Sequence, residues 1–185
     1  MILFREEGLI VNRRTFILGS LAGAATAGTA AWFSIEKNQG HLTIDHALLK
    51  LEQIMMQSPT TQGAWNLFQI FTHCAQSVEY SMTGYPEHKS DLFKGTAGKV
   101  AFALFQSKGK MTHALDEVIP GAPAFSQNED VTVAFDRFKQ SLIDFKDYQG
   151  ELRPHFAYGQ LSKHEYEAAH VMHFNNHLQE ISLSN

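Results

Sequence analysis

The sequence contains a single cysteine, Cys74, among its 185 residues. One thiol excludes both an internal disulfide framework and a cysteine-based zinc site, which need several cysteines in one chain. Charge of either sign is also sparse, since 15 Lys and Arg against 19 Asp and Glu give a net charge of -4. The basic residues are scattered and form no stripe interleaved with aromatic residues, so nothing indicates binding to nucleic acid. No segment alternates polar and apolar residues as a half-buried strand does, which argues against a sheet protein.

The N-terminal segment has the character of a targeting sequence rather than of part of the folded domain. The run from Asn12 to Leu18, NRRTFIL, resembles the twin-arginine export motif, in which two arginines precede another residue, then Phe and an aliphatic residue. An uncharged stretch from Thr15 to Ile35 follows, rich in Ala, Gly, Leu and Thr. We therefore predict that residues 1–37 are a signal segment for the twin-arginine export machinery. Residues 38–185 would then form one exported, periplasmic domain.

The fate of this segment stays open at the level of sequence. Small residues at Ala25-Thr26-Ala27 and Thr29-Ala30-Ala31 offer cleavage sites. The uncharged stretch is also barely long enough to span a bilayer, so an uncleaved membrane anchor is the alternative. Glu6 and Glu7 lie where such a signal is normally basic, which leaves the true start codon open.

Apolar residues recur at helical spacing in four long segments of the predicted domain. These segments run from Thr43 to about Gln57, from Gly63 to Met82, from the Asn128-Glu129-Asp130 cluster to near Gly150, and from Ser162 to Ile181. A shorter apolar run, Lys99 to Gln106, lies in the long connection between the second and third segments. The pattern predicts an all-α fold, an up-down four-helix bundle with a long crossover that carries one short extra helix.

Three histidines share one face of the last predicted helix. Residues three, four and seven apart lie on the same side of a helix, so His170, His173 and His177 project together and Glu180 continues their stripe. A buried imidazole costs free energy unless it is hydrogen-bonded or bound to a metal. The i, i+4 pair His173 and His177 has the spacing by which one helix gives two nitrogens to one ion. The stripe indicates a metal site, and a solvated, His-rich helix end is the alternative.

A third ligand has to come from another helix, and His73 is the candidate. It lies in the middle of the second predicted helix among apolar residues, with Gln76 on the same face to orient its ring. A core histidine that is hydrogen-bonded to a neighbour is the alternative. Cys74 points about 100° away from His73 and is interpreted as packing. His155, in the loop before the last helix, could line the mouth of the site or simply pack. No partner is evident for the remaining histidines, His41, His46, His88, His113 and His164.

This layout resembles a known superfamily. His73 on the second helix, followed by His173-x3-His177 on the last, resembles the DinB/YfiT-like four-helix-bundle proteins with a three-histidine metal site (the damage-inducible family, not the polymerase). More narrowly, the chain is similar to one domain-of-unknown-function branch of it. The sequence motifs that the chain shares with this branch lie in residues 65–84, 158–166 and 170–178. The resemblance implies a divalent ion, zinc, nickel or iron, held by His73, His173 and His177. The order Pro154-His155-Phe156 inverts the His-Pro order of that branch, so no role is carried over to His155.

Three neutral imidazoles leave at least one position of an ion open, which is the arrangement of catalytic rather than structural sites. The resemblance implies a metal-dependent hydrolase or thiol transferase with a small-molecule substrate or a thiol as its partner. The catalytic residues stay unknown, and Glu180, Gln76, His170 and His155 are candidates for groups that support the ligands. A non-catalytic bundle that binds a metal or a partner is the alternative function. Helical bundles often dimerise, but no exposed apolar face argues for a dimer here.

Overall fold

The computed structural model describes residues 41–125 and 130–183. Six helical segments follow one another: α1 (Ile44–Met55), α2 (Leu67–Thr83), α3 (Asp91–Phe93), α4 (Lys99–Lys108), α5 (Val131–Asp147) and α6 (Lys163–His177). A π-helical turn, Lys94–Gly98, joins α3 to α4, and a 3-10 turn, Leu178–Glu180, follows α6. The fold is mostly helical, which confirms the all-α prediction. The predicted signal segment, residues 1–37, lies outside the described residues.

Side-chain caps fix where the helices near the site begin. The Asn66 side chain accepts a hydrogen bond from the Gln69 N–H, and the Gln69 side chain accepts one from the Asn66 N–H. Ser162 and Glu165 form the same reciprocal box at the start of α6. The second helix therefore begins at Leu67, four residues after the predicted start, because Asn66 ends the extended segment before it.

Two short strands were not predicted. β1 (Thr60–Thr61) and β2 (Ile181–Ser182) pair antiparallel, with Thr61 opposite Ile181. The prediction that the last helix continues to Ile181 is therefore wrong, because the chain leaves the helix after His177 and turns through Leu178–Glu180 into β2. The backbone N–H of Gln62 also donates to the Glu180 carbonyl at 2.9 Å. This pairing holds the end of the chain against the segment that precedes α2.

The core lies between α2, α5 and α6. Phe71 of α2 stacks on Phe138 of α5 at a centroid distance of 6.3 Å, and Phe138 meets Phe174 of α6 edge-on at 5.1 Å. Helix α2 is buried around most of its circumference from Phe68 to Val78, so its polar residues also face protein. Cys74 packs in this core at 1 % exposure, and burial raises the pKa of its thiol. Among the described residues, no helix combines the length and the apolar character required to cross a bilayer.

Candidate metal site

Histidines from two different helices converge in the buried centre of the domain. The Nε2 atom of His173 on α6 lies 3.0 Å from Nε2 of His73 on α2 and 3.2 Å from Nε2 of His177. One ring nitrogen from each of the three residues lies within 4.8 Å of the other two. Nitrogens bound at 2.0–2.1 Å to one tetrahedral ion are roughly 3.4 Å apart, so this spacing suits ligands of a single ion. Three histidines on two helices could therefore hold a metal.

The local packing keeps two of these rings out of water. His73 is 3 % exposed and His177 is fully buried, whereas His173 is partly exposed. Trp65, just before α2, meets the His73 ring edge-on at 5.0 Å and stacks on the His177 ring at 5.8 Å. Trp65 thus forms an aromatic wall on one side of the cluster.

The three imidazoles are held in the neutral form that binds metals. Burial, followed by the nearby His113 ring, lowers the pKa of His73 to about 3. Burial, followed by repulsion from His73 and His113, lowers the pKa of His177 to about 2. Burial and the other histidines lower the pKa of His173 well below its ordinary value. Because only a deprotonated ring nitrogen binds a metal, the donor set is ready for an ion at neutral pH.

Unpaired polar atoms gather in this region of the molecule. Among the described residues, five buried side-chain atoms have no hydrogen-bond partner: His73 Nδ1, Gln76 Oε1, His113 Nε2, His177 Nδ1 and Glu180 Oε2. A buried polar group without a partner costs about 1–3 kcal/mol, so most proteins avoid it. Four of these five atoms belong to His73, His177, His113 and Glu180, so the polar groups in and beside the cluster are not fully satisfied within the protein.

Glu180 lies beside His177. Its Oε2 atom is 3.8 Å from Nδ1 of His177, the ring nitrogen that does not face His173. This distance is too long for a hydrogen bond, but a small approach of the carboxylate would let it accept the Nδ1 proton and direct Nε2 toward a metal. The carboxylate packs against Gly63, where any side chain would collide with it. Burial, followed by repulsion from Asp116, raises the pKa of Glu180.

The other predicted supporting residues occupy different places. Gln76 is buried one turn after His73 on α2. His170 lies deeper in the core, with Nε2 3.2 Å from Oγ of Ser81 and its ring stacked on Tyr166. His155 stacks on Tyr158 at 4.3 Å, and its Nδ1 accepts the backbone N–H of Tyr158 at 3.2 Å. Neither His170 nor His155 belongs to the three-histidine cluster.

A cavity of about 330 Å³ opens beside the cluster. His73 and His173 form part of its wall, and His113, His155 and His170 also line it. Most of the remaining wall is apolar and includes Phe93, Phe105, Met111, Ile119 and Phe156. This size lies at the lower end of the range for small-molecule sites, which are mostly apolar with a few polar groups.

Sequence reasoning missed His113. It lies in the loop after α4, with its ring centroid 4.9 Å from that of His173 and 5.4 Å from that of His177. No spacing rule connects a loop histidine to a helix about 60 residues later, so only the tertiary structure reveals the contact. The assignment of no partner to His113 is therefore corrected.

Comparisons with known proteins assign the family. A family model described as "Protein of unknown function (DUF1569)" matches residues 37–183. A search of curated proteins finds no match. A search of solved structures finds none either. The matched range includes His73, His113, His173, His177 and Glu180. The chain therefore belongs to the DUF1569 family of proteins of unknown function.

Proposed function

We propose that this protein is a DinB-like metal-dependent enzyme, a hydrolase or thiol transferase for a small organic molecule. His73, His173 and His177 hold its divalent ion, which is zinc, nickel or iron. The observation that carries the proposal is the convergence of three neutral ring nitrogens from two helices, two of which, on His73 and His173, belong to residues that line an apolar cavity. The order of the ligands along the chain, one on α2 and two on α6, also matches the superfamily that the sequence resembles.

The four-helix bundle is part of the same proposal. Helix α2 packs against α5 and α6, and α1 packs against the same two helices. The segment between α2 and α5 carries α3 and α4, as a long crossover would. These contacts support a bundle whose metal ligands come from facing helices.

Each group around the site has a distinct task. A divalent ion supplies Lewis acidity, which polarises a carbonyl group or lowers the pKa of a water or thiol. Glu180 orients the His177 ring, while Trp65 excludes water from one side of the cluster. The apolar cavity wall binds the body of the substrate and places its polar end near His73 and His173. These residues bind, orient and desolvate, and the sequence of chemical steps depends on the substrate.

A non-catalytic metal-binding bundle is the competing function. A structural ion is normally enclosed by four protein ligands and needs no cavity. The adjoining 330 Å³ cavity therefore favours an enzyme over a store or a structural site.

Export by the twin-arginine machinery completes the proposal. The Asn12–Leu18 run supports it, and this route exports folded proteins, often with their cofactors already inserted. We expect the domain in the periplasm, either released or held at the membrane by an uncleaved signal. Cell fractionation combined with N-terminal sequencing of the mature protein tests both outcomes, and a cytoplasmic protein with an intact N-terminus would contradict export.

Metal analysis of the purified full chain tests the site. We expect one divalent ion per chain, and we expect H73A and H173A to lose it while H46A keeps it. His46 is an exposed histidine on α1 and serves as the matched control. A wild-type protein that stays metal-free after soaking with zinc, nickel or iron would overturn the proposal.

Activity separates the enzyme from the binder. The metal-loaded protein is assayed with thiols and with ester and amide substrates against the metal-free protein and H173A. A rate above both controls supports a hydrolase or transferase. Equal rates with a fully loaded site favour the non-catalytic bundle.

A further inference from the structure

We infer that His113 is a fourth, displaceable ligand of the same ion, supplied by the loop between α4 and α5. The inference rests on the proposed metal site. It adds His113 to His73, His173 and His177, so that four imidazoles surround the ion. In this arrangement His113 closes the fourth position of the ion only at rest, and a molecule that enters the cavity displaces His113 and opens that position again, unlike the permanently closed structural site.

The first argument is position. The His113 ring centroid lies 4.9 Å from that of His173 and 5.4 Å from that of His177, next to the three-histidine cluster rather than within its group of mutually close nitrogens. Within the cluster, the His73 ring lies 4.8 Å from the His173 ring and 5.1 Å from the His177 ring. A fourth imidazole therefore adjoins the cluster on the side of His173 and His177, although it comes from a different part of the chain.

The second argument is the tautomer. Nδ1 of His113 lies 2.6 Å from the carbonyl oxygen of Ala114. A carbonyl oxygen can only accept, so Nδ1 carries the proton and Nε2 carries a free lone pair. Metal-binding histidines typically donate their other ring N–H to a carbonyl or carboxylate in this way. The Nε2 atom is buried and has no hydrogen-bond partner, so its lone pair is available to an ion.

The third argument is the anchoring of the loop. Asn176, which directly precedes His177 on α6, is 3 % exposed and donates from Nδ2 to the His113 carbonyl at 3.3 Å. Gln179 in turn donates to Oδ1 of Asn176 at 2.9 Å, which fixes the orientation of that amide. Helix α6, which provides His173 and His177, thus also holds the backbone of the loop that carries His113.

The position in a loop makes His113 the ligand that exchanges. His73, His173 and His177 belong to helices whose backbone hydrogen bonds hold them, whereas His113 lies in a loop that Asn176 holds only at the His113 carbonyl. It lines the cavity together with His73 and His173. A molecule that fills the cavity therefore approaches the ion from the side on which His113 lies.

Cobalt spectroscopy on the full chain tests the inference without any substrate. Co²⁺ replaces the native ion, because the visible absorption of Co²⁺ reports the number and kind of its ligands. We expect wild type and the control H46A to give the same spectrum, and H113A to give a different one. In H113A the Co²⁺ dissociation constant should rise by about tenfold or more, because the loss of a direct ligand should cost at least as much as the loss of a residue that only orients one. Free imidazole added to H113A should restore the wild-type spectrum.

X-ray absorption of the zinc-loaded wild type provides a measurement that needs no variant. Four imidazoles around the ion support the inference, and three with an oxygen ligand overturn it. An H113A protein with unchanged spectrum and affinity overturns it as well. The proposed function survives that result if H73A and H173A still lose the metal, and it fails together with the inference if wild type binds no ion.

Discussion

The absence of a side chain at Gly63 leaves the space that the Glu180 carboxylate occupies. The Glu180 carboxylate lies against the Gly63 backbone and 3.8 Å from Nδ1 of His177. Removing the charge with E180Q should weaken metal binding by about tenfold, because an amide is a weaker acceptor than a carboxylate for the Nδ1 proton of a metal-bound His177. Isothermal titration with zinc measures the change, and circular dichroism should show an unchanged fold.

The G63A variant provides an independent test at the same point. The added methyl group would collide with the flexible end of Glu180, so the carboxylate should swing away while the backbone stays in place. We expect a loss of zinc affinity close to that of E180Q, and no further loss in the double variant, since both changes remove one interaction. Additive losses would contradict a role for Gly63 that acts through Glu180.

At the scale of the element, α6 carries two of the three clustered histidines in its C-terminal half and its cap at the other end. Ser162 accepts the Glu165 N–H at 3.3 Å, and the Glu165 carboxylate accepts the Ser162 N–H at 2.8 Å. S162A should lower the free energy of unfolding by about 1 kcal/mol and leave zinc affinity unchanged, because the cap is three turns from His173. Urea denaturation measures the first quantity, and the exposed S107A variant is the control. A large loss of metal affinity in S162A would contradict the separation of cap and site.

The sequence predicted these elements wherever a local pattern defines them. The periodic apolar residues and the Ser162 box located α6, and the i, i+4 spacing of His173 and His177 placed both on one face. The β1–β2 pair could not be predicted, since two-residue strands carry no periodicity and form only when residues about 120 apart in the chain meet. The contact of His113 with the cluster could not be predicted either, because a loop residue has no periodic spacing from which its neighbours can be inferred.

At the scale of the whole molecule, an ion would join α2 to α6 across the core. Binding to the folded state alone stabilises it by about 2.7 kcal/mol when the free ion is at 100 times its dissociation constant. Zinc should therefore raise the melting temperature of the wild type by several degrees, as measured by calorimetry with and without chelator. H173A should melt at the same temperature in both conditions. An equal zinc effect in H173A would show that the ion binds elsewhere.

Buried neutral histidines should also make the metal-free protein sensitive to acid. Burial lowers the pKa of His170 to about 3, and burial followed by repulsion from His170 and His88 lowers the pKa of His155 to about 3. The unfolded chain binds their protons near pH 6.5, so stability is complete above that pH and falls as the pH drops toward 3. Each histidine contributes a slope of about 1.4 kcal/mol per pH unit within this window. Urea denaturation of the chelator-treated protein from pH 7.5 to pH 5 measures the slope, and H155Q should reduce it whereas H46A should not. A stability that stays flat over this range would mean that His155 and His170 take up protons as easily in the folded protein as in the unfolded chain, which would contradict their burial.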